Sequence, residues 1–324
     1  MKCRICEMLY IKANGELPCG SDHGEDIILS RLPVHKGCPG RYDWLWGQRR
    51  LNIVSDVLNG PTFVEIRRSF LRQRFPFGTC AICSLLQKEE ELSSETVSSL
   101  YAIHLEPSFL CHIDCAACIS PKRRKELKAP PYNFPFSWWQ KIVDDLQRAD
   151  IRVQWAIFEG RGEPLMNPDT PRMIRYIKDR IDCYSTLTTH GNFGFTDEII
   201  ESGLDQIEVS IDGADEESYK KYRKGGSFEK AVKFVSDLVV RKRLLRASKP
   251  LVWWKYILFE WNDSDDQIRK AHELSKDIGT NLEFILTNTE GKSKRFTTKN
   301  FESRIQELAP GVGMQRMPGL VGKG

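Results

Sequence analysis

From residue 102 to residue 286, short apolar runs of strand type alternate with amphipathic helical stretches, and no other feature narrows the fold so far. The strand-like runs are Ala102 to Leu105, Val153 to Phe158, Tyr184 to Thr188, Gln206 to Ile211, Val252 to Phe259 and Leu282 to Leu286. Helical periodicity fills the gaps near 137–149, 170–180, 196–202, 215–245 (two pieces, broken at Gly225-Gly226) and 264–278. A strand that returns through a helix to a strand of the same direction builds a parallel sheet with right-handed crossovers. Six such units make an α/β fold, a partial barrel or an open doubly wound sheet, and periodicity alone leaves both open. No internal repeat of fixed period is visible.

A core of this extent needs apolar material, and 40% hydrophobic residues in 324 supply it. Forty-eight Lys and Arg against forty-four Asp and Glu leave a net charge of +4. Basic clusters such as Lys122-Arg123-Arg124-Lys125 are short, so nucleic acid is not an expected partner. The apolar stretch Leu251 to Trp261 is interrupted by Lys255 and Glu260 and is too short to cross a bilayer, so no membrane partner is expected either. The start, Met1-Lys2-Cys3-Arg4-Ile5-Cys6, places thiols where a signal peptide would need an apolar run, and a cytoplasmic location is expected. In a reducing compartment, closely spaced cysteines read as metal ligands rather than disulfides.

The ten cysteines group as Cys3, Cys6, Cys19 and Cys38, then Cys80 and Cys83, then Cys111, Cys115 and Cys118, with Cys183 alone. The first ninety residues are rich in Gly, Pro and Trp and carry one clear helical stretch, 63–74. Residues 89–99 turn polar and acidic, as in a linker. The expected division is a small Cys-rich N-terminal domain over 1–95, the α/β core over 96–290 and a C-terminal tail over 291–324 that covers the barrel mouth or is disordered.

Cys111-His112-Ile113-Asp114-Cys115-Ala116-Ala117-Cys118 sets three thiols within eight residues, directly after the first strand. Thiolates suit zinc and iron-sulfur clusters. Three of them would hold three irons of a cubane cluster and leave the fourth open to a small molecule. A zinc site completed by His112 or Asp114 is the structural alternative, although neighbours in so tight a loop reach one ion poorly.

This Cys-x3-Cys-x2-Cys loop resembles the hallmark of the radical S-adenosylmethionine (SAM) superfamily. Gly160-Arg161-Gly162-Glu163-Pro164, after the second strand, looks like that family's Gly-Gly-Glu-Pro segment, with Arg161 replacing a glycine. The resemblance implies that Gly162 and Glu163 meet the methionine amino group of SAM: glycine permits close backbone approach, and a carboxylate accepts charge-assisted bonds from an ammonium. Thr188-Thr189-His190-Gly191-Asn192 and Val209-Ser210-Ile211-Asp212-Gly213 resemble the segments that offer polar groups to the ribose, which points to His190, Asn192, Ser210 and Asp212. Arg223 matches an arginine that resembling enzymes direct at the SAM carboxylate. These motifs recur at the carboxyl ends of successive strands, where loops converge in parallel β/α architectures. The family therefore implies a partial (β/α)6 parallel barrel. One departure is Ala117, where a bulky residue usually packs on the adenine; that contact is expected from strands five and six near Leu286.

Cys3, Gly15-Glu16-Leu17-Pro18-Cys19 and Cys80-Ala81-Ile82-Cys83 look like the SPASM/twitch extension, which implies an auxiliary [4Fe-4S] cluster on Cys3, Cys19, Cys80 and Cys83, with Cys6 or Cys38 as substitutes. That module usually follows the barrel, so its N-terminal place is a departure. A zinc ribbon of Cys3, Cys6, Cys80 and Cys83 is the alternative.

The resemblance implies a radical SAM enzyme with a [4Fe-4S] cluster on Cys111, Cys115 and Cys118, SAM as cofactor, a small-molecule or peptide substrate, and an electron donor such as flavodoxin or ferredoxin. With an auxiliary cluster, the expected outcome is oxidation or dehydrogenation. A redox-neutral epimerase with a cysteine hydrogen donor is a second reading, in which Cys183 stands at the far end of its strand and reads as a structural thiol. A non-catalytic zinc module for RNA or protein is a third, from a different class.

Overall fold

The computed structural model describes residues 2–19, 27–32, 51–83, 86–87, 91–118, 133–194 and 197–316. Eight strands form the principal sheet: β1 (Met8–Ile11), β2 (Ser99–Leu105), β3 (Arg152–Phe158), β4 (Tyr184–Thr189), β5 (Gln206–Ser210), β6 (Leu251–Leu258), β7 (Asn281–Leu286) and β8 (Gly313–Arg316). They lie side by side in chain order from β1 to β8. The pairs β1–β2, β2–β3, β5–β6, β6–β7 and β7–β8 are all parallel. A doubly wound sheet reverses its strand order at a switch point. This one never reverses, which is the partial-barrel arrangement, with the six expected strands at its centre and one further strand on each edge.

The chain divides into two compact units, residues 1–110 with 129–186, and 111–128 with 187–324. In the former, β2 and β3 are followed by α2 (Phe136–Arg148) and α3 (Thr170–Lys178), after α1 (Pro61–Leu71) in the N-terminal part. Helix α2 buries Phe136, Trp139, Ile142, Val143 and Leu146, the helical spacing of one apolar stripe. Its Trp139 indole N–H donates to the Met173 carbonyl of α3 at 2.8 Å. The Glu95 carboxylate pairs with Arg68 of α1 at 2.9 Å. The N-terminal strand β1 aligns Met8–Ile11 with Ala102–Leu105.

In the other unit, α4 (Glu198–Glu201), α5 (Glu216–Tyr222), α6 (Phe228–Leu244), α7 (Asp265–Ile278) and α8 (Phe301–Leu308) alternate with the strands. Ser227 and Ser264 cap α6 and α7 by accepting the backbone N–H of Lys230 and Gln267. Beyond residue 290 the chain forms one further helix and one further strand by residue 316. Phe301, Ile305 and Leu308 bury one face of α8, and β8 extends the sheet. Among the described residues no helix is long and apolar enough to cross a membrane.

Candidate functional site

Cys111, Cys115 and Cys118 are half-buried on one short loop. The loop is not held by its own backbone alone. Asp114–Cys115 pairs antiparallel with Arg223–Lys224, immediately after α5, and the Ala116 N–H donates to the Tyr222 carbonyl at 3.0 Å. The Cys118 N–H closes the turn onto the Cys115 carbonyl at 3.0 Å.

That pairing brings Arg223 to the loop. Its Nη1 donates to the Cys115 Sγ at 3.5 Å, and its Nε donates to Asp212 Oδ2 at 2.6 Å. Asp212 is fully buried, and its second oxygen accepts the Ile257 N–H at 2.7 Å. Burial pushes the Cys115 thiol up, opposed by the guanidinium. Arg223 stays charged in spite of its burial because Asp212 and Cys115 face it.

His190 and Asn192 follow β4. The His190 ring meets His112, of the cysteine loop, edge-on at 4.7 Å and stacks on Phe193 at 5.1 Å. Burial, then the neighbouring His112 and Arg223, hold its pKa well below the usual value, so the ring is neutral. Asn192 donates to the Tyr219 hydroxyl at 2.8 Å and accepts the Ser227 N–H at 2.7 Å, which fixes it between α5 and α6. Ser210 is buried at the end of β5. The residues expected from three separate sequence segments thus lie with the cysteine loop in one unit. Ala117 is exposed. Leu286, the expected source of adenine contact, is buried at the end of β7.

Gly162 and Glu163 belong to the other unit. A Cβ on Gly162 would stand 2.0 Å from the Ser108 carbonyl oxygen, so the close approach admits glycine alone. The Glu163 N–H donates to the Leu110 carbonyl at 2.7 Å, and its buried carboxylate accepts the Leu165 N–H at 3.1 Å. Sequence reasoning missed Glu106, whose carboxylate holds this loop. Buried at the end of β2, it accepts the Arg161 N–H at 2.6 Å and the Ala13 N–H at 3.2 Å. Burial pushes its pKa up, opposed by those N–H groups and that of Gly162. The available signal was a carboxylate directly after an apolar strand run, on the edge where the other motifs fall.

In the same unit Cys3, Cys19, Cys80 and Cys83 line one pocket with Phe70 and Phe77. Burial pushes the Cys3 and Cys19 thiols up to about 12 each, and the neighbouring sulfurs add to the shift. Cys6 is buried but is not part of the lining, and Cys38 lies outside the described residues. Cys183 is buried just before β4. Among the described residues, no three His, Cys, Asp or Glu side chains converge on the position of a single metal ion.

Residues 105–241 match the family described as the Radical SAM superfamily. A probable GTP 3′,8-cyclase of Methanocaldococcus jannaschii is 28% identical over 156 residues, 47% of this chain and 50% of that protein. A 7,8-dihydro-6-hydroxymethylpterin dimethyltransferase of the same organism is 23% identical over 203 residues, 61% of this chain and 36% of that protein. The chain therefore spans half or less of the length of these curated relatives. Among solved structures, native anSMEcpe with bound AdoMet and Cp18Cys peptide superposes with a TM-score of 0.46 at 14% identity, covering 66% of this chain and 62% of that one.

Proposed function

We propose that this chain is a radical SAM enzyme that abstracts hydrogen from a small-molecule or peptide substrate and oxidises it with the help of a second cluster. The observation that carries the reading is the three-thiol loop pinned by backbone pairing to Arg223 and thereby to the buried Asp212. When bound, a [4Fe-4S] cluster and SAM would supply one-electron reductive cleavage of the sulfonium and hydrogen-atom abstraction. Cys111, Cys115 and Cys118 hold that cluster. Asp212 fixes the guanidinium of Arg223, which would hold the SAM carboxylate. His190, Asn192 and Ser210 serve the ribose. Gly162 and Glu163 serve the methionine amino group on the strength of their motif, with Glu106 ordering their loop. A flavodoxin or ferredoxin is the proposed electron donor.

The auxiliary cluster is assigned to Cys3, Cys19, Cys80 and Cys83 because these four thiols line one pocket. Soft sulfur donors suit iron-sulfur clusters. The proposed auxiliary module of residues 1–95 also contributes edge strand β1, the core runs over 96–290, and 291–324 extends it with α8 and β8.

Anaerobic reconstitution tests both assignments. The wild-type chain is expected to take up about eight irons and release 5′-deoxyadenosine under a strong reductant. The triple variant C111A/C115A/C118A is expected to lose all SAM cleavage; retained cleavage overturns the proposal. The quadruple variant C3A/C19A/C80A/C83A is expected to hold about four irons and still cleave SAM. Mass spectrometry of products then separates oxidation, a loss of two hydrogens, from epimerisation, a gain of one solvent deuterium. Cyclisation and methyl transfer, named for the two relatives above, leave other mass changes.

A further inference from the structure

Away from the cysteine loop, at the opposite ends of the same parallel strands, the second unit has a basic concavity that the proposed chemistry does not use. It opens beside the starts of β6 and β7 and the last turn of α6, and with the space open to solvent measures about 570 Å³. Lys242, Arg243 and Arg246 line it.

Three acids of this unit are engaged with other cations. Asp197 pairs with Arg241, Asp205 with Lys249 and Asp237 with Lys233. Among the described residues, Lys242, Arg243 and Arg246 have no carboxylate within ion-pair distance. Lys242 is pushed below its ordinary pKa by burial alone, with no acid opposing the shift. Cations in the last turn of a helix favour the helix by themselves. That accounts for Lys242 and Arg243, and it does not account for Arg246.

Arg246 has φ +53°, the left-handed conformation, as have Gln73 (φ +55°) and Asp150 (φ +52°) just past the ends of α1 and α2. It is the residue just past the helix end, where its N–H donates to the Arg243 carbonyl and the next N–H, of Ala247, donates to the Lys242 carbonyl. Glycine is the ordinary occupant of that place because any Cβ is strained there. A long cationic side chain is kept instead, and it points to the same concavity as two other cations. Gly279, the left-handed C-cap of α7 with φ +80°, lies against the Arg243 guanidinium.

We propose that this pocket binds a phosphoryl group through Lys242, Arg243 and Arg246. Two planar guanidinium forks and one ammonium match the several oxygens and multiple charge of a phosphate better than a single carboxylate. The phosphate has two sources in principle, a soluble phosphate compound or a lipid headgroup. The second source is raised by Val240, Leu244, Leu245 and Leu251, which are 52%, 69%, 44% and 45% exposed next to the pocket.

Calorimetry of the full chain with pyrophosphate, and co-sedimentation with phosphatidylcholine vesicles with and without phosphatidic acid, test the proposal. Binding in one arm or both is expected, and the arm that binds identifies the source. Arg243→Gln and Arg246→Gly are each expected to weaken it by about tenfold or more, as loss of one charged hydrogen-bond donor does. Arg246→Gly is also expected to raise the melting temperature of the ligand-free chain, since glycine relieves the strain. A residue that merely ended the helix would give the higher melting temperature with unchanged affinity, and that result overturns the proposal. So does the absence of binding to both pyrophosphate and phosphatidic acid vesicles. Neither readout involves SAM, so this inference and the proposed enzyme activity fail independently.

Discussion

Replacing Asp212 by Asn isolates the charge on which the arrangement of Arg223 depends. The substitution keeps the side-chain volume and the oxygen that accepts the Ile257 N–H at 2.7 Å. It removes the negative charge 2.6 Å from Arg223 Nε and sets an amide N–H against a guanidinium N–H. The pair is 0% and 12% exposed on its two sides, so solvent does little to replace the lost partner. Breaking a buried pair from one side costs about 3–5 kcal/mol. At about 2 °C per kcal/mol for a chain of this size, the melting temperature falls by about 6–10 °C. The double variant D212N/R223M removes the stranded cation as well and is expected to recover more than half of that loss, because eliminating both charges of a buried pair is close to neutral. SAM cleavage stays lost in both variants. Differential scanning fluorimetry with urea titration measures the stabilities. A loss below about 1 kcal/mol for D212N, the ordinary value of an exposed ion pair, refutes the argument. A double variant no more stable than the single one refutes it equally.

Gly162→Ala is expected to weaken SAM binding and to cost about 1–3 kcal/mol, because its Cβ would meet backbone atoms of Ser108 and Phe109 and the loop would have to move; isothermal titration with SAM and a urea titration check it. Asp215, which caps α5, is held at about 2, with burial working against the bonds from Ser218 and Gln267 that lower it. A folded pKa below the ordinary 3.8 means the contribution is present above pH 4 or so and is lost as pH falls through 2. For this half-exposed carboxylate it amounts to about 1 kcal/mol after allowance for solvent screening. In urea titrations from pH 6 downward, Asp215→Ala is expected to be less stable than wild type at the top of the range and to converge with it toward pH 2.

The central strands were legible because each is an apolar run flanked by turn residues, and their motifs were legible because short patterns at strand ends carry their own chemistry. The order of the strands was not, since no local signal tells Val209 whether its neighbour is Trp254 of β6 or a strand on the other side. Edge strands β1 and β8 escaped notice for a related reason: four residues, such as Met8–Ile11 or Gly313–Arg316, are too few to display a period. Glu106 was passed over because an acid after a strand ordinarily faces water, and only the tertiary structure turns it inward onto the N–H groups of Ala13 and Arg161. Arg223 was found by its motif, yet the antiparallel pairing with Cys115 that places it depends on contacts more than one hundred residues apart in sequence.

The parallel pairing of Met8–Ile11 with Ala102–Leu105 has a temporal consequence on the ribosome. The earlier strand emerges first and must wait for its neighbour, a delay on the order of ten seconds at about 5–20 residues per second. Cys3 and Cys19, which flank it, spend that interval with Cys80 and Cys83 not yet translated or only just emerging. The newborn polypeptide thus exposes its sulfurs to oxidants before it can shelter them, and the speed of elongation between codons 20 and 105 becomes part of how intact the finished molecule is.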